Sequence, residues 1–324
     1  MQCVLLTLCP AEQAACAART AVAEALRSEG RHEEAVGLYH QAVEVYQRML
    51  RARHPDTEEA LVRLQGCYSE AGRLEEVIGV QEELLALRRL AMSDRDIAQA
   101  MAAIAGSYSD LGCEQRAFDI HHRVVEFLCT ALPADHSDIA KALMQKAASL
   151  SLLGRFTEAL EASERALSLL QRAHPPDHPD IAHALLRAAS CLRLLGNLGC
   201  ALDTNEQAVE ILRRALQPGH PDVLKAVMEQ AEIRSDMGMH EDALALCEMV
   251  IREFQRVLPD GSLVTTSMMN RAAEICFAMG NYISALSYFE QVLQISRCVL
   301  PPDHPHVSRA LFNTGKCHAA LGQS

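Results

Sequence analysis

The chain is 324 residues long and carries a formal net charge of −12, with 49% hydrophobic residues, 4% aromatic residues and no Trp. That length exceeds what one compact core ordinarily serves, and the acidic balance argues against nucleic acid or an anionic membrane as the main partner, since both need clustered Lys and Arg. The 12 cysteines form no CxxC pair, so their spacing builds neither a disulfide framework nor a zinc site and points to a reducing, cytoplasmic compartment.

Residues 1–12 are expected to form an N-terminal tail; the apolar run Val4 to Leu8 is too short for a signal peptide or a membrane span. Residues 13–324 read as a repeat array. The first helix A closes at Gly30, and its helix B starts near His32-Glu33-Glu34. The second unit opens with His54-Pro55-Asp56 and turns at Gly72. The third, Ser93 to Leu132, lacks that opening and turns at Gly112, which marks it as a bend or soft point. The next three open with His136-Ser137-Asp138, His178-Pro179-Asp180 and His220-Pro221-Asp222, and turn at Gly154, Gly196 and Gly238. The seventh, with Gly261-Ser262 in place of the His-Pro-Asp opening, turns at Gly280. A last helix opens with His304-Pro305-His306 and stops at Gly322 without a helix B. The turn glycines are 42 residues apart at every step except Gly72 to Gly112, where the step is 40.

Internal periodicity of this kind is the mark of stacked helix pairs. Glycine enters the left-handed conformation that closes a helix at little cost. Seven residues before it stand Ala23, Ala105, Ala147, Ala189, Ala231, Ala273 and Gly315, with Gln65 the exception; five after it stand Ala35, Val77, Ala117, Ala159, Ala201, Ala243 and Ala285. These small residues let paired helices approach closely. Eleven before each glycine after the first a large apolar residue recurs, from Leu61 through Met101, Leu143, Leu185, Val227 and Met269 to Leu311. In the opening motif, Pro suits the first helical position and Asp complements the helix dipole. The expected fold is therefore an all-α solenoid of antiparallel helix pairs, a right-handed superhelix of seven pairs and one lone final helix.

The block Asp177-His178-Pro179-Asp180-Ile181-Ala182, followed by Leu195-Gly196, Ala201 and Ala208, resembles the 42-residue tetratricopeptide repeats of kinesin light chains and nephrocystin-type proteins. The resemblance runs over roughly residues 13 to 322. It implies that helix A lines a concave groove that holds partner segments, at positions occupied here by Lys141, Met144, His183, Leu186, Arg193, Lys225, Met228, Asn270 and Phe312. Met144, Leu186, Met228 and Phe312 form an apolar line suited to adaptable anchoring. Lys141, His183, Arg193 and Lys225 form a candidate basic patch, with solvated surface charge as the plainer reading. The paired Asn positions of that family read Val62-Arg63, Ala102-Ala103, Met144-Gln145, Leu186-Arg187, Met228-Glu229, Asn270-Arg271 and Phe312-Asn313, and no heptad coiled coil is present to engage a motor.

No phosphate-binding glycine loop, nucleophile elbow or HExxH is present. The expectations are accordingly no enzyme activity, no cofactor and no metal. His121-His122 and His32-Glu33-Glu34 read as solvated helix surface. Cys67, Cys191 and Cys317 share a small helix-A position and read as buried packing groups, with Cys113 and Cys200 nearer the turns. The function implied is a protein-interaction scaffold or adaptor, with a kinesin light chain-like cargo adaptor as its narrower form; the alternative is a regulatory array of a larger enzyme or nucleotide-binding protein. Protein partners are expected, nucleic acid and membrane insertion are not, and the open C-terminal end offers a surface for self-association.

Overall fold

A computed structural model describes residues 10–49, 55–88, 92–217, 219–257, 263–301 and 304–322. Among them are fifteen α-helices and no strand. They fall into two units, divided after Arg155.

Unit 1 contains α1 (Pro10–Ser28), α2 (His32–Met49), α3 (Pro55–Glu70), α4 (Leu74–Arg88), α5 (Asp94–Asp110), α6 (Glu114–Ala131) and α7 (Ser137–Leu152). Each helix packs on its neighbours in sequence. The first helix begins at Pro10, three residues before the expected start of the array at residue 13. The third repeat forms an ordinary pair, α5 and α6; Ser93 takes the place of the histidine opening and its hydroxyl accepts the Asp96 backbone N–H at 3.3 Å.

Unit 2 contains α8 (Phe156–Ala173), α9 (Pro179–Leu194), α10 (Leu198–Ala215), α11 (Pro221–Asp236), α12 (His240–Val257), α13 (Leu263–Ala278), α14 (Tyr282–Val299) and α15 (Pro305–Ala320). Here too each helix packs on the next. His54 and Gly261-Ser262 lie outside the described residues. Odd-numbered helices are the A helices and even-numbered ones the B helices.

The turn glycines take φ between 70° and 81° at all eight positions. At Gly196 the motif is complete: its N–H donates to the Arg193 carbonyl at 3.0 Å and the Asn197 N–H donates to the Leu192 carbonyl at 2.9 Å. These two bonds satisfy carbonyls that the helix end leaves open. The small positions are buried throughout the pairs. Ala23, Ala105, Ala147, Ala189, Ala231 and Ala273 have no exposed surface, nor do Ala35, Ala117, Ala159, Ala201, Ala243 and Ala285. Cys67, Cys191 and Cys317 are likewise wholly buried, while Cys113 is half-buried and Cys200 exposed. In α15 the register residues Leu311 and Gly315 are exposed.

The opening motif works differently from its sequence reading. The histidine is itself the N-cap. The Nδ1 atoms of His136, His178, His220 and His304 accept the backbone N–H two residues on, at 3.1–3.2 Å. Proline then stands at the start of α9, α11 and α15. His178→Ala should cost about 1 kcal/mol in a chemical melt and His178→Asn should restore most of it, because Asn is a competent N-cap acceptor.

No helix among the described residues is long and apolar enough to cross a membrane.

Candidate functional site

In unit 2 the A-helix face is crossed by a ladder of ion pairs between successive A helices. Arg193 on α9 reaches two acids on α11, Glu232 at 3.1 Å and Asp236 at 2.9 Å. Glu232 also accepts from Arg271 on α13 at 2.8 Å. Arg271 pairs with Glu274 at 3.2 Å, and Glu274 lies 3.5 Å from Arg309 on α15. His183 Nε2 is 3.7 Å from Asp222. Exposed single pairs contribute little, but a half-buried network in which Arg193 and Arg271 each have two carboxylates fixes register between repeats. Burial opposes the charge on Arg271, and Glu232 more than offsets it, so its pKa is raised.

This arrangement corrects the basic patch. Arg193 and His183 are engaged by acids of the next A helix, Lys225 is exposed, and Lys141 stands in the other unit. Arg193, read as part of a patch open to a ligand, is thus held by acids of this chain, and His183 stands beside one.

The apolar line also divides. Phe312 is 68% exposed, Leu186 and Met144 are half-buried, and Met228 is 6% exposed. Met228 and Asn270 come together on a cavity of about 260 Å³, with Glu232, Arg271 and Val292. Asn270 Oδ1 is buried there without a hydrogen-bond partner. Beyond it, Lys316 Nζ lies 5.1 Å from the Phe277 ring centre and 5.9 Å from that of Phe312, a cation–π arrangement on the last A helix.

Glu229, one residue past Met228, is not singled out by any motif in the sequence. Burial pushes its carboxyl up to about 7, with Glu232 adding to the effect; Arg193, the Ser190 hydroxyl and Arg187 pull it down without compensating. An acid at a register position that lies on the A-helix face is the signal that points to it.

His121 also departs from its sequence reading. It is buried, not solvated, with Nδ1 2.8 Å from Ser149 Oγ, and burial lowers its pKa. Potential ligand atoms of His174, His178 and Asp180 lie within 4.8 Å of one another. The two rings stack at 4.0 Å and 16°, and His178 Nδ1 is the α9 cap acceptor. Parallel rings do not aim their in-plane lone pairs at one ion, so this geometry serves the helix cap.

The tetratricopeptide repeat family model matches residues 13–90, 138–214 and 264–324. The chain belongs to the tetratricopeptide repeat family. Comparison with curated proteins finds no match. Among solved structures, a kinesin light chain-like protein of Podosopora anserina with nearly identical TPR-like repeats aligns with TM-score 0.55 and 21% identity, over 64% of this chain and 98% of that one. A tetratricopeptide repeat protein of Parabacteroides merdae aligns with TM-score 0.60 and 15% identity, over 93% of this chain and 98% of that one. A signal transduction ATPase of Pyrococcus horikoshii with a tetratricopeptide repeat sensor aligns with TM-score 0.60 and 14% identity, over 90% of this chain and 42% of that one. At these identities the likeness is one of fold.

Proposed function

We propose that this tetratricopeptide repeat protein is a non-catalytic scaffold that holds extended or helical segments of partner proteins on its A-helix face. The observation that carries the reading is the pairing of opposites on that face in unit 2: its charges largely satisfy one another, while Phe312 is left 68% exposed and Leu186 half-buried. A large apolar side chain among satisfied charges is what a partner's apolar anchor covers with least desolvation cost. Lys225 and Asn270 belong to the proposed surface of unit 2, where Met228 forms the base of the cavity beside Asn270, and Lys141 and Met144 belong to the A-helix face of unit 1, taken by itself.

A kinesin light chain-like cargo adaptor is the narrower form of this proposal and draws on the likeness to the Podosopora protein. A regulatory repeat region of a larger multidomain enzyme or nucleotide-binding protein is the second reading. It draws on the likeness to the sensor-bearing ATPase, of which this chain covers 42%. The net charge of −12 favours protein over nucleic acid as partner. The buried Cys16, Cys67, Cys191, Cys247, Cys276 and Cys317, none of them in a disulfide, support a cytoplasmic setting. The exposed Leu311 and Phe312 on α15 offer a face for self-association.

The test is Leu186→Asp with Phe312→Asp, on α9 and α15 surfaces that the fold does not close over. Affinity purification with mass spectrometry should show partners of the wild-type chain lost from the folded double variant. Retention of every partner by the double variant would remove the A-helix face from the binding site. Sedimentation of Phe312→Asp alone reads self-association, which the aspartate should abolish.

A further inference from the structure

Ten residues before each turn glycine the A helices after the first carry Val62, Met144, Leu186, Met228, Asn270 and Phe312, but α5 carries Ala102. At Ala102 a cavity of about 350 Å³ opens between α5 and α7, over α6. Its apolar walls are Ala98, Ala102 and Ala142, with Val124 and Leu128 beneath. The volume lies in the range of small-ligand pockets.

Asp138 lies on the wall of this cavity. By side-chain and backbone exposure together it is the one buried carboxylate residue among the described residues. Its cation is Arg95, with Nε 3.1 Å from Oδ2 and Nη2 3.3 Å from Oδ1. The Nε contact is not aligned as a hydrogen bond, and Oδ2 remains a buried acceptor without a donor. His136 Nδ1, 3.6 Å from Oδ2, already accepts the Asp138 N–H and has no proton to give. The pair is unequal in exposure, with 67% of the Arg95 side chain accessible against 11% for Asp138. A buried carboxylate held by an exposed cation, beside unfilled apolar space, is poorly satisfied for its cost of desolvation. A guanidinium whose methylene stem filled the cavity would give Asp138 two aligned N–H donors and cover the alanine walls at once.

His121 on the floor is held neutral by burial and adds no opposing charge. Lys141, exposed on the same wall, does oppose a cation. The chain's net charge of −12 draws cationic segments toward it.

We propose that this cavity receives an arginine side chain of a partner segment, with Asp138 as its counterion and Arg95 as a placeholder that swings out. The proposal rests on the scaffold reading and adds a residue preference to it.

The probe is N-acetyl-arginine methylamide, titrated into the full chain labelled with 13C at alanine methyls. Saturable shifts are expected at Ala98, Ala102 and Ala142, and none with the isosteric, uncharged citrulline analogue. Arg95→Ala should bind the probe about tenfold tighter, since removing an internal competitor raises the competent fraction. Lys141→Ala should shift affinity in the same direction. Asp138→Asn should abolish binding, and so should Ala102→Met, which installs the residue present at 144 and 228 and leaves the melting temperature intact. Two results overturn the proposal: no shift by the arginine probe in either wild type or Arg95→Ala, or equal binding of tryptophan and glutamate methylamides that survives Asp138→Asn. If the arginine probe fails while Leu186→Asp with Phe312→Asp still releases partners, the arginine assignment falls and the scaffold reading stands.

Discussion

Replacing Glu229 with glutamine should stabilise the protein at pH 8 and leave its stability nearly unchanged at pH 4. Burial on α11 holds the Glu229 carboxyl up at about 7, against a normal value of 4.5. The folded chain therefore keeps a proton that the unfolded chain gives up between those two values. Wherever the native state binds more protons than the unfolded state, stability falls as pH rises. The loss begins above pH 4.5 and is complete above about pH 7. Its size follows from the shift: on the order of 2–3 kcal/mol after allowance for screening at a half-buried site. The glutamine side chain cannot ionise and avoids the loss. Urea melts of both proteins at pH 4 and pH 8 supply the four numbers required, and the difference between variant and wild type isolates this group from every other titration. A variant less stable than wild type at pH 8 would show instead that ionised Glu229 is a working member of the ladder, paired to Arg193 and Arg187.

The same region shows which features a sequence displays and which it withholds. The turn glycines and the fully buried alanines are legible because each answers a local demand that few residue types meet: positive φ in one case, a missing side chain at a helix contact in the other. Met228 reads as a groove residue because its register position lies on the A-helix face, but the depth of the space between α11 and α13 decides how far it sinks. Depth is a tertiary quantity that periodicity does not carry. The ion pairs do leave a trace. Arg27 to Glu70, Arg95 to Asp138 and Arg193 to Asp236 are each 43 residues apart, one repeat plus one residue in the 42-residue units. Opposite charges at that spacing pair Arg193 with an acid and take it out of a free basic patch. The capping histidines are visible as a motif but not in role, because His is rarely the residue that supplies an N-cap acceptor.

Ala189→Leu and Gly315→Ala should move stability in opposite directions, although both change the position seven residues before a turn glycine. Ala189 is wholly buried in the α9–α10 pair, as is Ala201 on α10. A leucine there has no space to enter, and overpacking of this kind costs about 1–3 kcal/mol, with separation of the helices as the alternative outcome. Gly315 occupies the matching place in α15, where it is exposed, and an added Cβ meets nothing within 4 Å. Alanine then acts only through the backbone. It removes conformational freedom from the unfolded chain and raises helix propensity, a gain of up to about 1 kcal/mol. Thermal melts of the two variants against wild type decide the matter. A neutral Ala189→Leu would mean that the helix pair is loose at its narrowest point and that close packing through small residues does not set the repeat spacing. A destabilising Gly315→Ala would mean that something covers α15 in solution, which sedimentation of the same sample would reveal as a second copy of the chain.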